Sequence, residues 1–217
     1  MAFSRQQIDD ALDHLRARDP VMRALIRQVG PFRLRPERDR FWMLVRSILS
    51  QQISTKAARS IRSRVEALVA PEIPSAENLI RIEDDRLREA GVSPQKLRYL
   101  RDLCEHVLDS RLQLRQIGRL SDEQVVESLV RVKGIGRWTA QMFLMFALGR
   151  LDVFPHDDHG IRTALRNLYN LDNLPDKATS LQIAELWRPY ATVACWYCWR
   201  STDLEQPQQT DATRYPV

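Results

Sequence analysis

The chain has 217 residues, 44% hydrophobic and 28% charged, with a formal charge of +5 and a pI near 9.4. That is enough apolar material for one or two compact cores. No run of about 18 or more apolar residues could span a bilayer, and the opening "MAFSRQQIDD" lacks the apolar segment of a secretory signal, so a cytoplasmic protein with no membrane partner is expected.

In chain order, "FSRQQIDDALDHLRA" places Ser4 and Gln7 at capping-box spacing ahead of Ile8, Ala11, Leu12 and Leu15, which predicts a first helix. "RDRFWMLVRSILSQQ" repeats the period through Phe41, Leu44, Val45, Ile48 and Leu49. Ser54 caps a further predicted helix that turns Lys56, Arg59, Arg62 and Arg64 outward and buries Ala57, Ile61, Val65 and Leu68. In "REAGVSPQKLRYLRDLCEHVL", Gly91 stops one helix, while Ser93 and Pro94 start the next. On that helix Cys104 shares an apolar face with Leu97, Leu100 and Val107 and reads as core. Ser121 and Gln124 form a second capping-box pattern, and "QMFLMFALGR" reads as a buried central helix ending near Gly149. Alternating strand patterns are absent, so the expected fold class is all-α. The polar tail, residues 205–217, is expected to fray.

The cysteines, Cys104, Cys195 and Cys198, are too few for a disulfide framework. Cys195 and Cys198 have metal-ligand spacing, but no second pair completes a site of four.

Two stretches carry chemistry. In "LVRVKGIGRWTAQMFLMF" one helix ends near Lys133, Gly134-Ile135-Gly136 makes a tight turn, and a second helix starts toward Thr139. Two glycines around one apolar anchor leave backbone N–H groups at a helix start uncovered by side chains, an arrangement suited to phosphate, with Lys133 and Arg137 beside it. In "LDVFPHDDHGIR" two histidines bracket two aspartates. A metal site from His156, Asp157, Asp158 and His159 is one reading, weakened because consecutive side chains diverge. The other is a helix cap, with Asp157 or Asp158 starting a helix through Ile161, Ala164, Leu165 and Leu168.

"VKGIGRWTA" resembles the helix-hairpin-helix element of the DNA glycosylase superfamily, and "DVFPHDDHGIR" follows at the distance of that superfamily's Gly/Pro-rich loop and catalytic aspartate. "ILSQQISTKAA", "AGVSPQKLRYLRDL" and "ELWRPYATVACWYCWR" resemble the DNA-3-methyladenine glycosylase II branch, in a short form without the N-terminal β-domain of some members. The resemblance implies a two-lobed fold with a cleft beside Asp158, one lobe from residues 1–44 and 151–204 and the other from 45–150. It makes Asp158 the catalytic carboxylate, stabilising the oxocarbenium-like sugar that forms as an N-glycosidic bond breaks. Trp138, Trp199, Met142 and His159 fall on the base pocket, and aromatic faces there suit a cationic alkylated purine. Lys133, Gly134, Ile135, Gly136, Arg137 and Thr139 fall on the hairpin that grips the DNA backbone. Gln52, with Ile53 second, falls where the family intercalates a side chain into the space of the extruded base.

Trp138 also stands where strand-cutting relatives carry a lysine nucleophile, and the cysteine set of the iron–sulfur branch is missing. The resemblance therefore implies a monofunctional, water-using glycosylase of base excision repair that needs no cofactor or metal. It would act as a monomer on double-stranded DNA with alkylated bases, associated with the nucleoid, or nuclear if the source is eukaryotic. The rival reading is a non-enzymatic helix-hairpin-helix DNA-binding module.

Overall fold

The computed structural model describes residues 3–205, and the regular structure within them is helical throughout, with no strand among the described residues. The fraying tail expected from residue 205 lies outside the described residues, apart from Glu205 itself, which ends the last helix.

Side-chain oxygens close most helix starts, as an isolated helix end would otherwise leave its first N–H groups unpaired. Helix α1 (Arg5–Arg18) begins with the expected capping box between Ser4 and Gln7, and α2 (Pro20–Val29) begins at Asp19 with proline in its first turn. Asp39 caps α3 (Arg40–Ser50) and Ser54 caps α4 (Thr55–Val69). The short α5 (Ala76–Leu79) and α6 (Asp84–Glu89) lead to α7 (Pro94–Leu108), which Ser93 caps. Ser121 and Gln124 box the start of α8 (Asp122–Val130), and α9 (Arg137–Phe146) follows the glycine turn. Asp158 caps α10 (His159–Leu168), Asp176 caps α11 (Lys177–Ala184), and α12 (Ala191–Glu205) closes the described chain.

The described residues divide into two compact units, one from 3–37 with 144–205, the other from 38–143. The division falls a few residues before the boundaries of 45 and 150 read from the sequence. Hydrogen bonds account for the offset. Arg40 donates to the carbonyls of Leu114 and Arg115 and so ties the start of α3 into the second unit, while the Glu37 N–H donates to Phe146 O within the first.

In the second unit α3 packs on α4 and α7, and α7 also packs on α5. Leu44, Val45, Ile48, Leu49, Val65, Leu100, Leu103 and Cys104 are buried there, so Cys104 is core; burial pushes its thiol up to about 12. The buried face of α4 runs through Ala58, Val65 and Val69 and leaves Ala57 exposed. That face is turned by about one position from the expected Ala57-to-Leu68 stripe, because the apolar pairs Ala57-Ala58 and Leu68-Val69 fit either register.

In the first unit α12 packs on α10 and α2, and α1 packs on α2. Its apolar core contains one deeply buried carboxylate. Asp19 is 1% exposed, and its carboxylate accepts from the N–H groups of Val21 (2.8 Å) and Met22 (3.2 Å), from Trp187 Nε1 (2.9 Å) and from the Tyr169 hydroxyl. One carboxylate thus caps α2 and satisfies two aromatic donors, the buried Trp187 and the half-buried Tyr169, at large sequence separation. Asp19→Ala strands those donors, and a loss of roughly 3 kcal/mol is expected in urea denaturation; a loss under about 1 kcal/mol would show that the network is dispensable.

Candidate functional site

The hairpin turn between α8 and α9 is fixed peptide by peptide. Gly134 has φ +82° and a Cβ there would fall 2.2 Å from Tyr99 Cδ2, so both backbone and packing require glycine. Ile135 is buried, as its anchoring role demands, and its N–H donates to Val132 O at 3.1 Å. The Lys133 N–H donates to Asp102 Oδ2 at 2.8 Å, and Gln51 Nε2 donates to Gly134 O at 2.7 Å. The N–H groups of Gly134 and Gly136 have no hydrogen-bond partner among the described residues. A Cβ at Gly136 would meet nothing within 4 Å, so no neighbouring side chain dictates glycine there. What glycine gives at position 136 is uncovered backbone at the start of α9, where N–H groups attract an anion.

The cations expected to face phosphate are already engaged. Lys133 Nζ lies 3.1 Å from Asp102 Oδ1, and Arg137 makes two bonds to Glu123 at 3.0 and 2.9 Å, joining α9 to α8. Burial raises the Asp102 carboxyl, but the Lys133 N–H, the Lys133 ammonium and His106 outweigh it and hold it below the ordinary value. The Arg137–Glu123 pair is exposed, so salt screens it and a phosphate can compete for the guanidinium. Thr139 departs further from expectation: it is 6% exposed and has little surface for DNA, because its place in the first turn of α9 faces the packed side.

The segment before α10 is fastened to α12. Thr192 Oγ1 donates to Arg150 O at 2.7 Å and accepts from the Val153 N–H at 3.1 Å, and the Thr192 N–H donates to Leu151 O at 2.9 Å. The chain then turns at Pro155, whose carbonyl accepts from the Asp158 N–H at 2.9 Å, and α10 begins. Asp158 is 8% exposed; its Oδ1 accepts from the Ile161 N–H at 2.8 Å and from Trp199 Nε1 at 3.0 Å. Two donors from two helices therefore fix this carboxylate. A Cβ at Gly160 would fall 3.2 Å from both Asp158 Oδ1 and Trp199 Cδ1, so glycine lets the two side chains meet.

Its neighbours are arranged differently. Asp157 is exposed and lies 2.8 Å from His156 Nδ1, and His159 is exposed in the first turn of α10. No group of three or more His, Cys, Asp or Glu side chains could hold a metal ion among the described residues. Cys195 and Cys198 are buried in α12, and burial raises both thiols.

Of the expected base-pocket residues, Trp138 is 39% exposed and presents its indole, whereas Met142 is 0% exposed and can shape a pocket only from behind other side chains. Trp199 stands half-buried, its ring 5.6 Å from Phe146 and its N–H on Asp158, so it acts on the carboxylate as well as presenting an aromatic face. Gln52 is exposed with φ +56°, and Ile53 is exposed beside it. Sequence reasoning missed Gln51, Tyr99, Lys96 and Asp102, which hold the loop and the hairpin rather than face a ligand. The one available signal was that each lies in or beside a stretch carrying the family resemblance.

Residues 45–189 match the family model described as HhH-GPD superfamily base excision DNA repair protein, and the chain belongs to that family. Among relatives, it is 33% identical over 196 residues to DNA-3-methyladenine glycosylase 1 of Schizosaccharomyces pombe, covering 88% of this chain and 86% of that protein. Among solved structures, a DNA-3-methyladenine glycosidase from Bacillus halodurans superposes with a TM-score of 0.83 at 38% identity, covering 95% of each chain. A Schizosaccharomyces pombe 3-methyladenine DNA glycosylase in complex with abasic DNA gives 0.81 at 33% identity, covering 89% of this chain and 97% of that one.

The two glycines should behave differently. Gly134→Ala meets both positive φ and Tyr99 and is expected to lower stability by about 2 kcal/mol or more. Gly136→Ala should melt within a few degrees of wild type yet lose DNA affinity, measured by fluorescence anisotropy on a labelled duplex. Unchanged affinity for Gly136→Ala would remove this turn from the interface.

Proposed function

We propose that the protein is a monofunctional DNA glycosylase of base excision repair, which extrudes alkylated purines from duplex DNA and hydrolyses their N-glycosidic bond to leave an abasic site. The observation that carries this reading is the Asp158 carboxylate, buried and held by the Ile161 N–H and Trp199 Nε1, in a chain of a base-excision family. The names of the relatives support 3-methyladenine and similar bases as substrates.

In the proposed reaction the bond from C1′ to the base nitrogen breaks, and its electron pair leaves with the base. An alkylated purine is cationic, so it departs neutral and needs no protonation. Positive charge builds on the sugar, where the fixed Asp158 carboxylate stabilises it. Water then bonds to C1′ and gives up its proton to that carboxylate. The exposed Trp138 indole suits stacking on the cationic base, the uncovered N–H groups of Gly134 and Gly136 suit the phosphate backbone, and Gln52 suits the hole left in the stack. A non-enzymatic binding module accounts for the hairpin but gives the Asp158–Trp199 pair no role.

Strand cleavage by the same protein is not expected. Position 138 is an indole, which forms no Schiff base, and the ammonium of Lys133 is held on Asp102. The product should be an intact abasic site that breaks only in hot alkali, and borohydride should trap no protein–DNA adduct. An adduct lost in Lys133→Ala would overturn the monofunctional reading.

Single-turnover base release from methylated duplex DNA, with chromatography of the freed bases, tests the carboxylate. Asp158→Asn should lose roughly a thousandfold in rate while still binding abasic-analogue DNA. Trp199→Phe keeps a ring but removes the N–H to Asp158, and a loss of roughly tenfold is expected. Asp157→Asn should stay near wild type, and an inactive Asp157→Asn beside an active Asp158→Asn would move the assignment.

A further inference from the structure

Helices α3 and α4 are joined by a short connection, Gln51 to Ser54, which carries the proposed wedge. Short connections are not automatically rigid, and this one contains a non-glycine residue, Gln52, in the left-handed region. Such a conformation persists when its surroundings over-determine it. Two hydrogen bonds to distant parts of the chain supply that determination. Lys96 Nζ, on α7 and 9% exposed, donates to Leu49 O at 2.7 Å and holds the last turn of α3, where a cation is favoured by the helix dipole. Gln51 Nε2 donates to Gly134 O at 2.7 Å across 83 residues of sequence.

The second bond has a particular consequence for the hairpin. The peptide between Gly134 and Ile135 is held at both ends, its carbonyl by Gln51 and its N–H by Val132 O. Two peptides back, the Lys133 N–H is held by Asp102. The unpartnered N–H of Gly134 lies between these pinned groups, so its direction follows from theirs. The residue preceding the wedge therefore sets the orientation of the turn that would face the phosphate.

We propose that Gln51 is a positioning residue that locks the wedge loop to the hairpin, so that gripping the phosphate backbone and placing Gln52 in the stack occur as one event. This rests on the glycosylase reading above, in which the hairpin binds phosphate and Gln52 fills the hole. Gln51 itself touches neither base nor sugar in this account. Its amide transmits position, and only a hydrogen-bond donor at that reach can do so.

A double-mutant cycle on binding isolates the coupling without relying on catalysis. The probe is a labelled duplex containing a tetrahydrofuran abasic-site analogue, and Gln52→Ala and Gly136→Ala are measured singly and together. In the wild-type background the double variant should lose at least fivefold less affinity than the product of the two single losses. In Gln51→Met, which keeps length but cannot donate, the single losses should multiply to within twofold of the double. Gln51→Glu should behave like Gln51→Met, and Gln51→Lys, which restores a donor, should recover part of the coupling. Thermal melts confirm that each variant is folded.

Equal coupling in the wild-type and Gln51→Met backgrounds would overturn the proposal, as would coupling that disappears equally in Gln51→Lys. A wild-type protein that binds the probe but shows no base release on methylated DNA would instead refute the catalytic reading and leave the coupling measurement standing. A wild-type protein that does not bind the probe would refute both.

Discussion

An all-helical chain must satisfy the N–H groups at every helix start, and in this protein that constraint shapes both the scaffold and the candidate chemistry. Ser4, Asp19, Asp39, Ser54, Ser93, Ser121 and Asp176 meet it in the ordinary way, each accepting from its own helix. Helix α6 starts without a side-chain cap, and two other helices depart from the pattern in ways that bear on the site. Gly136, before α9, has no side chain to cap with, so the N-terminal end of that helix stays accessible to an external anion. Asp158, before α10, caps its helix and with the same Oδ1 also accepts the Trp199 indole N–H. The proposed grip and the proposed chemistry thus arise at one kind of structural position, treated in opposite ways.

The second departure explains why the site needs no strained backbone. A cap already requires a carboxylate in an extended residue just outside a helix, and Asp158 adopts φ −69° and ψ 121°. For the proposed chemistry, fixing it takes one further donor, from Trp199 on α12, and the small Gly160 that lets the indole approach. In the proposed reaction, preorganisation would thereby come from interactions that stabilise the fold, and the carboxylate would need no reorientation as charge develops on the sugar. Asp19 shows the contrasting outcome. Its two oxygens hold four donors in the interior of the first unit, and it serves the core.

What the sequence made legible was local. The Ser4–Gln7 and Ser121–Gln124 boxes, the Ser93-Pro94 start and the buried Ile135 all depend on residues a few positions apart. Helix α2 carries an equally local signal in Asp19-Pro20. The bonds that hold the site span long separations: 31 residues from Lys133 to Asp102, 41 from Asp158 to Trp199 and 83 from Gln51 to Gly134. Periodicity and capping rules contain no information about such pairs. Thr139 and Met142 are assigned by the resemblance, which carries a position across but not its burial, and both are buried.

The pairing of the hairpin's cations bears on how this protein would hold DNA. Lys133 and Arg137 would dominate the local field if free, and a free cation attracts phosphate from any direction. With Asp102 and Glu123 holding them, the charge beside the turn is largely balanced. The directional donors that remain are the N–H groups of Gly134 and Gly136, which accept an anion only along their own axes. A grip of that kind specifies the placement of one phosphate more than it adds bulk affinity. Placement is the quantity that base extrusion requires, because a wedge displaced along the helix axis by even one base step would fill the wrong gap. In the proposed account the brace from Gln51 to Gly134 connects that placement to Gln52 through a single hydrogen bond.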